Sequence, residues 1–433
     1  MRAIRELARQ SSGVLLANVG ARVAALVSLA LATALVAWTG GPAAVGVYAL
    51  VRVLPGLVGV IMSSGLPGAL TYFLAGPTRE DRRLPMTIVA MALIGGLLGT
   101  ALWCAASPLL GAALFPDLST PLVLLAGATV LTQLLVATAK SCSQGSDDLP
   151  GANLVIVNEE LLFLPAYGLL WVGAVHGDAA TVTALLAADV ATFVWAWLRL
   201  AKRGFFRAAA RPSPALARRV AAYGMRGQVG GVMTLLNLRL DFILLQLLAG
   251  PAVLGVYAIA SKFAELVKVP GMALTYVLYP RFARQVTGAA AADARRLMPG
   301  ATLLTTGVAV ALLATAGIVI PALYGAAFEA AVIPAQVILL GLTLDGLGGV
   351  ITGFLYGAGR PGLNSWAMAA GLAVTVALDV ILIPHYGATG AAAASAVAYV
   401  TSTLALIWFY WWVGRAVPAS TWEGSTVPSA DTR

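Results

Sequence analysis

Long apolar stretches separated by short polar breaks run along the whole chain. Each stretch reaches the about 17 to 25 residues that a helix needs to cross the ~30 Å hydrocarbon layer of a bilayer. The pattern predicts an all-α polytopic membrane protein. Its twelve predicted transmembrane helices lie at approximately residues 12–38, 43–75, 85–114, 118–140, 151–174, 179–200, 219–249, 252–281, 298–324, 328–356, 363–384 and 388–414.

Basic residues alternate between the two ends of these predicted helices. The N-terminus, the even-numbered connections and the C-terminal tail hold 21 of the 27 Lys and Arg residues, and the odd-numbered connections hold none. Basic residues of short loops remain on the cytoplasmic side of a membrane. We therefore expect a multi-pass membrane protein with both termini in the cytoplasm.

The composition changes this picture little. With 60% hydrophobic and 10% charged residues, the chain is suited to a lipid solvent. The net charge of +9 arises from cytoplasmic loops that face anionic lipid headgroups, so we expect membrane lipids and not nucleic acid as partners. The first apolar run has 27 residues, which is too long for the apolar region of a signal peptide.

The chain contains an internal repeat. The nine residues Gly41–Ala49 recur 209 positions later as Gly250–Ala258, with seven identities, and Ala69–Leu74 returns as Ala273–Leu278. Each half then holds six helices, and an even number gives both halves the same orientation in the membrane. The predicted domains are an N-terminal six-helix lobe (1–200), a basic cytoplasmic linker (201–218), a C-terminal six-helix lobe (219–414) and a cytoplasmic tail (415–433).

No motif of enzymatic chemistry is present. The sequence lacks HExxH, CxxC, Walker and GxSxG motifs, and its two histidines are 209 residues apart. A membrane glycosyltransferase or ligase would need a catalytic acid near an outer loop, where only Asp117, Asp178 and Glu329 occur, each isolated. We therefore expect a protein that is not an enzyme and that has no cofactor or metal site.

Cations inside the predicted helices are the strongest functional signal. Such charges are costly unless they are paired or face water. Six of them fall in helices one, two, seven and eight: Arg22, Arg52, Arg226, Arg239, Lys262 and Lys268. Arg226 is near enough to the cytoplasmic end to snorkel, which leaves the other five as site candidates. Glu265 lies at helical spacing between the two lysines, so we expect these three to share one sector of their helix and Glu265 to neutralise one lysine.

Two interpretations of these cations remain open. They either lock helices together through acidic partners or line a central, water-filled cavity that attracts a phosphate, a diphosphate or an acidic sugar. In the second case a cation leaves no stranded partner when it is removed, so Arg52→Ala is expected to fold. Asp189, Asp345 and Asp379 are candidates for binding a coupling proton or cation, although structural roles fit them equally. Pro55, Pro67 and Pro270 are candidate hinges.

Three sequence segments resemble a known family. The segments Leu355–Arg360 and Pro384–Ala392 resemble the C-terminal region of the polysaccharide biosynthesis family of oligosaccharide flippases, and the Gly-Pro-x-x-x-Gly-x-Tyr motif at Gly41 is similar to its N-terminal signature. The resemblance implies the V-shaped fold of lipid II flippases and of multidrug and toxin extrusion transporters, with a cleft lined by helices one, two, seven and eight. Lipid II flippases usually have two further helices, which favours the polysaccharide branch.

This resemblance implies a flippase in the bacterial cytoplasmic (inner) membrane. It would move an undecaprenyl-diphosphate-linked oligosaccharide across that membrane for cell-surface polysaccharide or exopolysaccharide synthesis. Glycosyltransferases and a polysaccharide polymerase are then expected partners. The intramembrane cations would bind the diphosphate or acidic sugars of the lipid-linked oligosaccharide. The alternatives are a multidrug exporter of the same fold, which would display unpaired acids to organic cations, and a membrane glycosyltransferase or ligase.

Overall fold

The computed structural model of the chain describes residues 2–283 and 285–415. Over these residues it is helical throughout, with short connections and two 3-10 helices, Pro77–Glu80 and Ala326–Ala331. Residues 416–433 of the predicted tail lie outside the described residues. The α-helices are α1 (Arg2–Met62), α2 (Leu66–Ala75), α3 (Leu84–Leu114), α4 (Thr120–Gly145), α5 (Leu149–Leu161), α6 (Phe163–Val172), α7 (Gly177–Lys202), α8 (Pro214–Ala249), α9 (Pro251–Glu265), α10 (Lys268–Ala283), α11 (Thr287–Tyr324), α12 (Val332–Gly341), α13 (Asp345–Gly357) and α14 (Pro361–Arg415).

Many of these helices are long and apolar enough to cross a membrane. Within the described residues there are seven such helices, or eight if the bent pair 326–341 and 345–357 forms one span. Two of the seven, 20–62 and 361–414, have 43 and 54 residues, and each contains one non-helical residue, Gly41 or Gly387. The predicted fold class is confirmed, and the count of twelve crossings stays a prediction.

Several predicted helices are interrupted in the middle. α1 ends at Met62 and α2 begins at Leu66, while α9 ends at Glu265 and α10 begins at Lys268. Pro67 and Pro270 lie in the first turns after these two interruptions, where the missing N–H of proline has no helical partner to lose. Pro55 lies inside α1, away from its break. The predicted hinge motions themselves stay predictions.

Buried apolar side chains form three clusters. One joins both halves of the chain and includes Tyr48 of α1 and Tyr257 of α9. A second belongs to the N-terminal half but also includes Leu216 and Val220 of α8. A third lies among α10, α11, α13 and α14. The start of α8 therefore packs with the N-terminal half, and the predicted lobe boundaries at 200, 218 and 414 stay a prediction.

The linker between the halves is attached to the start of α3. Arg82 Nε donates a hydrogen bond to the carbonyl of Ala208 at 3.0 Å, and the Ala210 N–H donates to the carbonyl of Arg82 at 2.7 Å. The Ser213 N–H donates to Thr87 Oγ1 at 3.0 Å. The linker therefore belongs to the surface of the N-terminal half.

The two copies of the repeated motif contact each other reciprocally. A Cβ on Gly46 would lie 2.9 Å from the carbonyl carbon of Pro251, and a Cβ on Gly255 would lie 2.8 Å from that of Pro42. These pairs are related by the 209-residue offset of the repeat. Only glycine permits so close an approach of two backbones. α1 and α9 therefore cross tightly just after Gly41 and Gly250.

A second contact between the halves joins α8 to the interruption after α1. A Cβ on Gly224 would lie 2.6 Å from the carbonyl oxygen of Gly65, and the rings of Tyr72 and Tyr223 stack with centroids 4.4 Å apart. Gln228 Nε2 donates to the carbonyl of Val60 at 2.7 Å. The halves thus touch at two levels along their helices.

Candidate functional site

A cation from each half of the chain lies beside the same tyrosine. Arg52 is eleven residues beyond Gly41 and Lys262 is twelve residues beyond Gly250, so each lies about 16 to 18 Å along its helix from those points. Arg52 Nη1 donates to the hydroxyl of Tyr48 at 3.4 Å. Lys262 Nζ lies 5.4 Å from the centre of the same ring. Positive charge from α1 and α9 therefore converges on Tyr48.

Two carboxylates accompany these cations. Arg52 forms an ion pair with Glu160 of α5, and the two side chains are 22% and 13% exposed. Glu265 accepts a hydrogen bond from Arg239 of α8 at 3.4 Å. With Lys262 included, three cations stand against two carboxylates, which leaves one net positive charge. We call these five residues the interlobe charge cluster.

The pairing corrects three sequence-based expectations. Glu265 pairs with Arg239 and not with a lysine of its own helix, because α8 presents the arginine to it. The three residues do not share one helical sector, since α9 ends at Glu265 and α10 begins at Lys268. The expectation that removing the Arg52 side chain leaves no unpaired charge is also wrong, because Glu160 pairs with Arg52 and is nearly buried.

Glu160 was missed by the sequence analysis, although a signal existed. It follows Glu159 inside the predicted fifth helix, and acids within an apolar span normally have a cationic partner. The structure supplies both partners, since Glu159 lies 3.7 Å from Lys140 Nζ and Glu160 pairs with Arg52.

The other two predicted cations lie elsewhere. Arg22 is exposed on α1 and donates to Asn18 Oδ1 at 3.4 Å. It precedes Gly41 by 19 residues, or about 28 Å along the helix, whereas Arg52 lies about 16 Å beyond it. Lys268 Nζ lies 4.2 Å from the centre of the Tyr399 ring, in a cavity of the C-terminal half. The structure therefore brings together three of the five.

The three predicted coupling acids occupy three separate places. Asp189 is buried in the N-terminal half and accepts a hydrogen bond from Thr132 Oγ1 at 3.2 Å. Asp345 lies against Gly271 of α10. Asp379 is fully buried, and neither of its oxygens has a hydrogen-bond partner among the described residues.

Asp379 has a second acid nearby. The charge of Asp241 on α8 acts on it electrostatically. Asp241 accepts hydrogen bonds from the Tyr257 hydroxyl and from the Phe242 N–H, the latter at 2.9 Å. The Tyr257 hydroxyl also lies 2.8 Å from Ser395 Oγ. Two buried carboxylates thus lie within electrostatic range of each other in the C-terminal half.

Comparisons with known proteins agree with this architecture. The sequence model of the family described as "Polysaccharide biosynthesis protein" matches residues 7–286. A search of curated protein sequences found no match.

Similar solved structures cover nearly the whole chain. The lipid II flippase MurJ in an inward closed conformation is 15% identical with a TM-score of 0.69, over 93% of this chain and 90% of that chain. An inward-facing multidrug resistance MATE family transporter of the MOP superfamily is 16% identical with a TM-score of 0.70, over 93% and 97%. A MATE transporter of Vibrio cholerae is 15% identical with a TM-score of 0.66, over 96% and 99%. At these identities the similarity is one of fold.

Proposed function

The chain belongs to the polysaccharide biosynthesis protein family, and we propose that it is a flippase for an undecaprenyl-diphosphate-linked oligosaccharide. It would act without enzymatic chemistry, moving this lipid from the inner to the outer leaflet of a bacterial cytoplasmic membrane. Both termini would lie in the cytoplasm, where glycosyltransferases deliver the substrate, and a polymerase would receive it outside.

The convergence of Arg52 and Lys262 on Tyr48 carries this proposal. A diphosphate that enters a low-dielectric region needs compensating cations along its route. Cations contributed by both halves keep contact with the headgroup while the halves move relative to each other. Arginine suits this role because its planar guanidinium binds phosphate oxygens in pairs and keeps its charge when partly desolvated.

Each member of the interlobe charge cluster has a role in this mechanism. Arg52 and Lys262 bind the diphosphate, and Arg239 binds acidic groups of the attached sugar. Glu160 and Glu265 neutralise the arginines when no substrate is bound and are displaced by its phosphates. Lys268 binds a sugar of the oligosaccharide in the C-terminal half, and Arg22 attracts the diphosphate along α1. The isoprenoid chain stays in the lipid throughout.

We place the coupling site at Asp379 and Asp241. Two buried carboxylates in electrostatic range cannot both remain charged without a proton or a small cation between them. Binding and release of that ion would bias the C-terminal half between its arrangements. Asp379→Asn should then abolish the dependence of transport on an imposed ion gradient, measured in proteoliposomes. If transport by this variant still depends on the ion gradient, the coupling residue is Asp189 or Asp345 and not Asp379.

Export of organic cations is a second candidate function. It is favoured by Glu160 and Glu265, the two carboxylates of the interlobe charge cluster. An organic cation would displace the arginines from these acids, whereas a diphosphate would displace the acids from the arginines. The two functions therefore predict opposite essential residues within the same cluster.

The deciding experiment compares two transported species in proteoliposomes. Flipping of a lipid-linked oligosaccharide and accumulation of ethidium are measured for the wild type and for Arg52→Gln combined with Glu160→Gln, which leaves no stranded charge. Arg281→Gln is the matched control, since Arg281 pairs with Asp293 on an exposed surface. We expect the double variant to assemble, to lose oligosaccharide flipping and to accumulate the same amount of ethidium as the wild type. Ethidium transport without flipping in the wild type would establish the exporter instead.

A further inference from the structure

We propose that the cavity beside Lys268 and Asp345 is a sugar subsite that holds one uncharged pyranose ring of the transported oligosaccharide. This inference rests on the proposed function and adds to it, because no residue of the interlobe charge cluster lines this cavity. It would make the protein selective for the sugar as well as for the diphosphate.

The cavity lies where two interrupted helices meet inside the C-terminal half. Its volume is about 210 Å³, and its lining comes from α10, α12, α13 and α14. Lys268 is the first residue of α10 and Asp345 is the first residue of α13. Interrupted helices in membrane transporters present their free backbone groups to a bound ligand. The location is therefore that of a binding site and not of a packing defect.

The charges of the lining select an uncharged ligand. The Lys268 ammonium contacts the Tyr399 ring at 4.2 Å, and the Asp345 carboxylate lies against Gly271. One cation and one anion leave no net charge in the cavity. Asp345 repels a diphosphate and Lys268 repels an organic cation. A ring that carries several hydroxyl groups satisfies both, because its hydroxyls donate to the carboxylate and accept from the ammonium.

A buried hydroxyl group in the lining also lacks a partner. Ser402 of α14 is 5% exposed, and its Oγ has no hydrogen-bond partner among the described residues. Leaving such a group unsatisfied costs about 1 to 3 kcal/mol, so native structures normally provide a partner. Thr352 lines the same cavity and keeps acceptor capacity, since its Oγ1 donates to Asn364 Oδ1 at 2.9 Å. A sugar hydroxyl would supply the missing hydrogen-bond partner of Ser402 Oγ and would donate to Thr352 Oγ1.

The size of the cavity limits the ligand to one ring. Pockets that enclose drug-sized ligands measure about 300 to 1,000 Å³, whereas this cavity measures about 210 Å³. Several linked sugars would not fit, and the remainder of the oligosaccharide would extend out past Met272, an exposed residue of the lining.

The test measures protection of a cysteine from alkylation in the full chain, reconstituted in nanodiscs. Cys104 and Cys142 are first replaced, and Met272→Cys then reports on the cavity. Val53 follows Arg52 on α1 and is partly buried against the apolar cluster that joins both halves, so Val53→Cys reports on the interlobe charge cluster. The probes are methyl glucoside and inorganic pyrophosphate at millimolar concentrations. We expect methyl glucoside to slow alkylation of the Met272→Cys reporter and pyrophosphate to slow only that of the Val53→Cys reporter.

Variants of the lining establish that protection arises in the cavity. Asp345→Asn and Ser402→Ala should each raise the methyl glucoside concentration for half-protection by about tenfold, the effect of one lost hydrogen bond to a buried polar group. Ser143→Ala should leave it unchanged, because Ser143 Oγ is likewise buried without a partner among the described residues but lies on α4.

The outcomes separate this inference from the proposed function. If pyrophosphate protects the Val53→Cys reporter and no sugar protects the Met272→Cys reporter, the subsite is refuted while the flippase proposal stands. If pyrophosphate protects the Met272→Cys reporter, the cavity is an anion site and the inference is wrong. If methyl glucoside alone protects, the subsite stands and the assigned diphosphate site fails.

Discussion

Adding one methyl group at the crossing of α1 and α9 should hold the two halves apart. Gly255 and Gly46 are the residues at which the backbones approach most closely there. An alternating-access transporter must close this crossing in one state and open it in the other. Gly255→Ala is therefore expected to destabilise only the state with the crossing closed and to favour the state with it open.

The size of the effect follows from the geometry. A Cβ on Gly255 would lie 2.8 Å from the carbonyl carbon of Pro42 and 3.0 Å from the nitrogen of Gly46, and ordinary contact begins at 3.4 Å. The carbonyl oxygen of Pro42 lies closer still, so the helices must separate by more than 0.6 Å, the difference between 3.4 and 2.8. Overpacking of this kind costs about 1 to 3 kcal/mol. A cost of that size shifts an equilibrium between two states by roughly 5- to 150-fold.

The assay is thiol labelling in intact cells with an impermeant reagent. In a cysteine-free background carrying Val53→Cys, we expect Gly255→Ala and Gly46→Ala to increase labelling from outside and to reduce transport, with unchanged amounts of protein. Gly307→Ala and Gly317→Ala are matched controls, since a Cβ at either position on α11 meets nothing within 4 Å. Normal transport and unchanged labelling in both crossing variants would refute the view that the crossing opens during the cycle.

Three further outcomes are expected. Arg52→Ala should lower the amount of protein in membranes on a quantitative blot, because an unpaired buried carboxylate costs about 3 to 5 kcal/mol. Adding Glu160→Ala should restore the amount of protein but not transport. Normal amounts of the single variant would contradict this prediction. The Arg199 guanidinium, 2.8 and 2.9 Å from the Asp148 oxygens, holds the pKa of that carboxyl below its usual 3.8, so the pair stabilises the fold above about pH 4 and this contribution is lost as the pH falls below that value. Asp148→Asn should thus lower the free energy of unfolding by about 2 kcal/mol at pH 7 and by progressively less as the pH falls below about 4. A loss that stays the same in melts from pH 7 down to ~pH 2 would exclude the pair as the cause. In intact cells the impermeant reagent should label cysteines introduced at Gly41, Asp178 and Glu329. It should not label cysteines introduced at Arg82, Arg211 and Arg295, and the reverse result would overturn the topology.

The fold was predictable from the sequence because apolar runs and their polar limits are local properties. The predicted helix at 85–114 corresponds to α3 (Leu84–Leu114), and that at 179–200 corresponds to α7 (Gly177–Lys202). The interruption after Met62 lies just before Pro67, which the sequence marked as a candidate hinge. The interruption after Gly341 was not predicted, because the residues on both sides are apolar and only packing distinguishes a broken helix from a straight one.

Only the part of the candidate site that the internal repeat relates, Arg52 and Lys262, could be predicted from the sequence. The offset of 209 relates Arg52 to position 261, one residue from Lys262, and the structure places both cations at Tyr48. The pairing of Arg52 with Glu160 depends on which face of α5 packs against α1. That choice is made by side chains distant in sequence, so a pattern along one chain does not contain it.

The attachment of the linker to α3 determines where the chain bends when its halves move. Because the linker and the first turns of α8 are held by the N-terminal half, the covalent link to the other half is a helix of 36 residues, about 54 Å long. Four of its residues between positions 224 and 231 are glycines, which weaken a helix by about 1 kcal/mol each. We expect the pivot to be this soft segment of α8, inside the bilayer, so that lipid packing around one helix sets the resistance to every transport cycle.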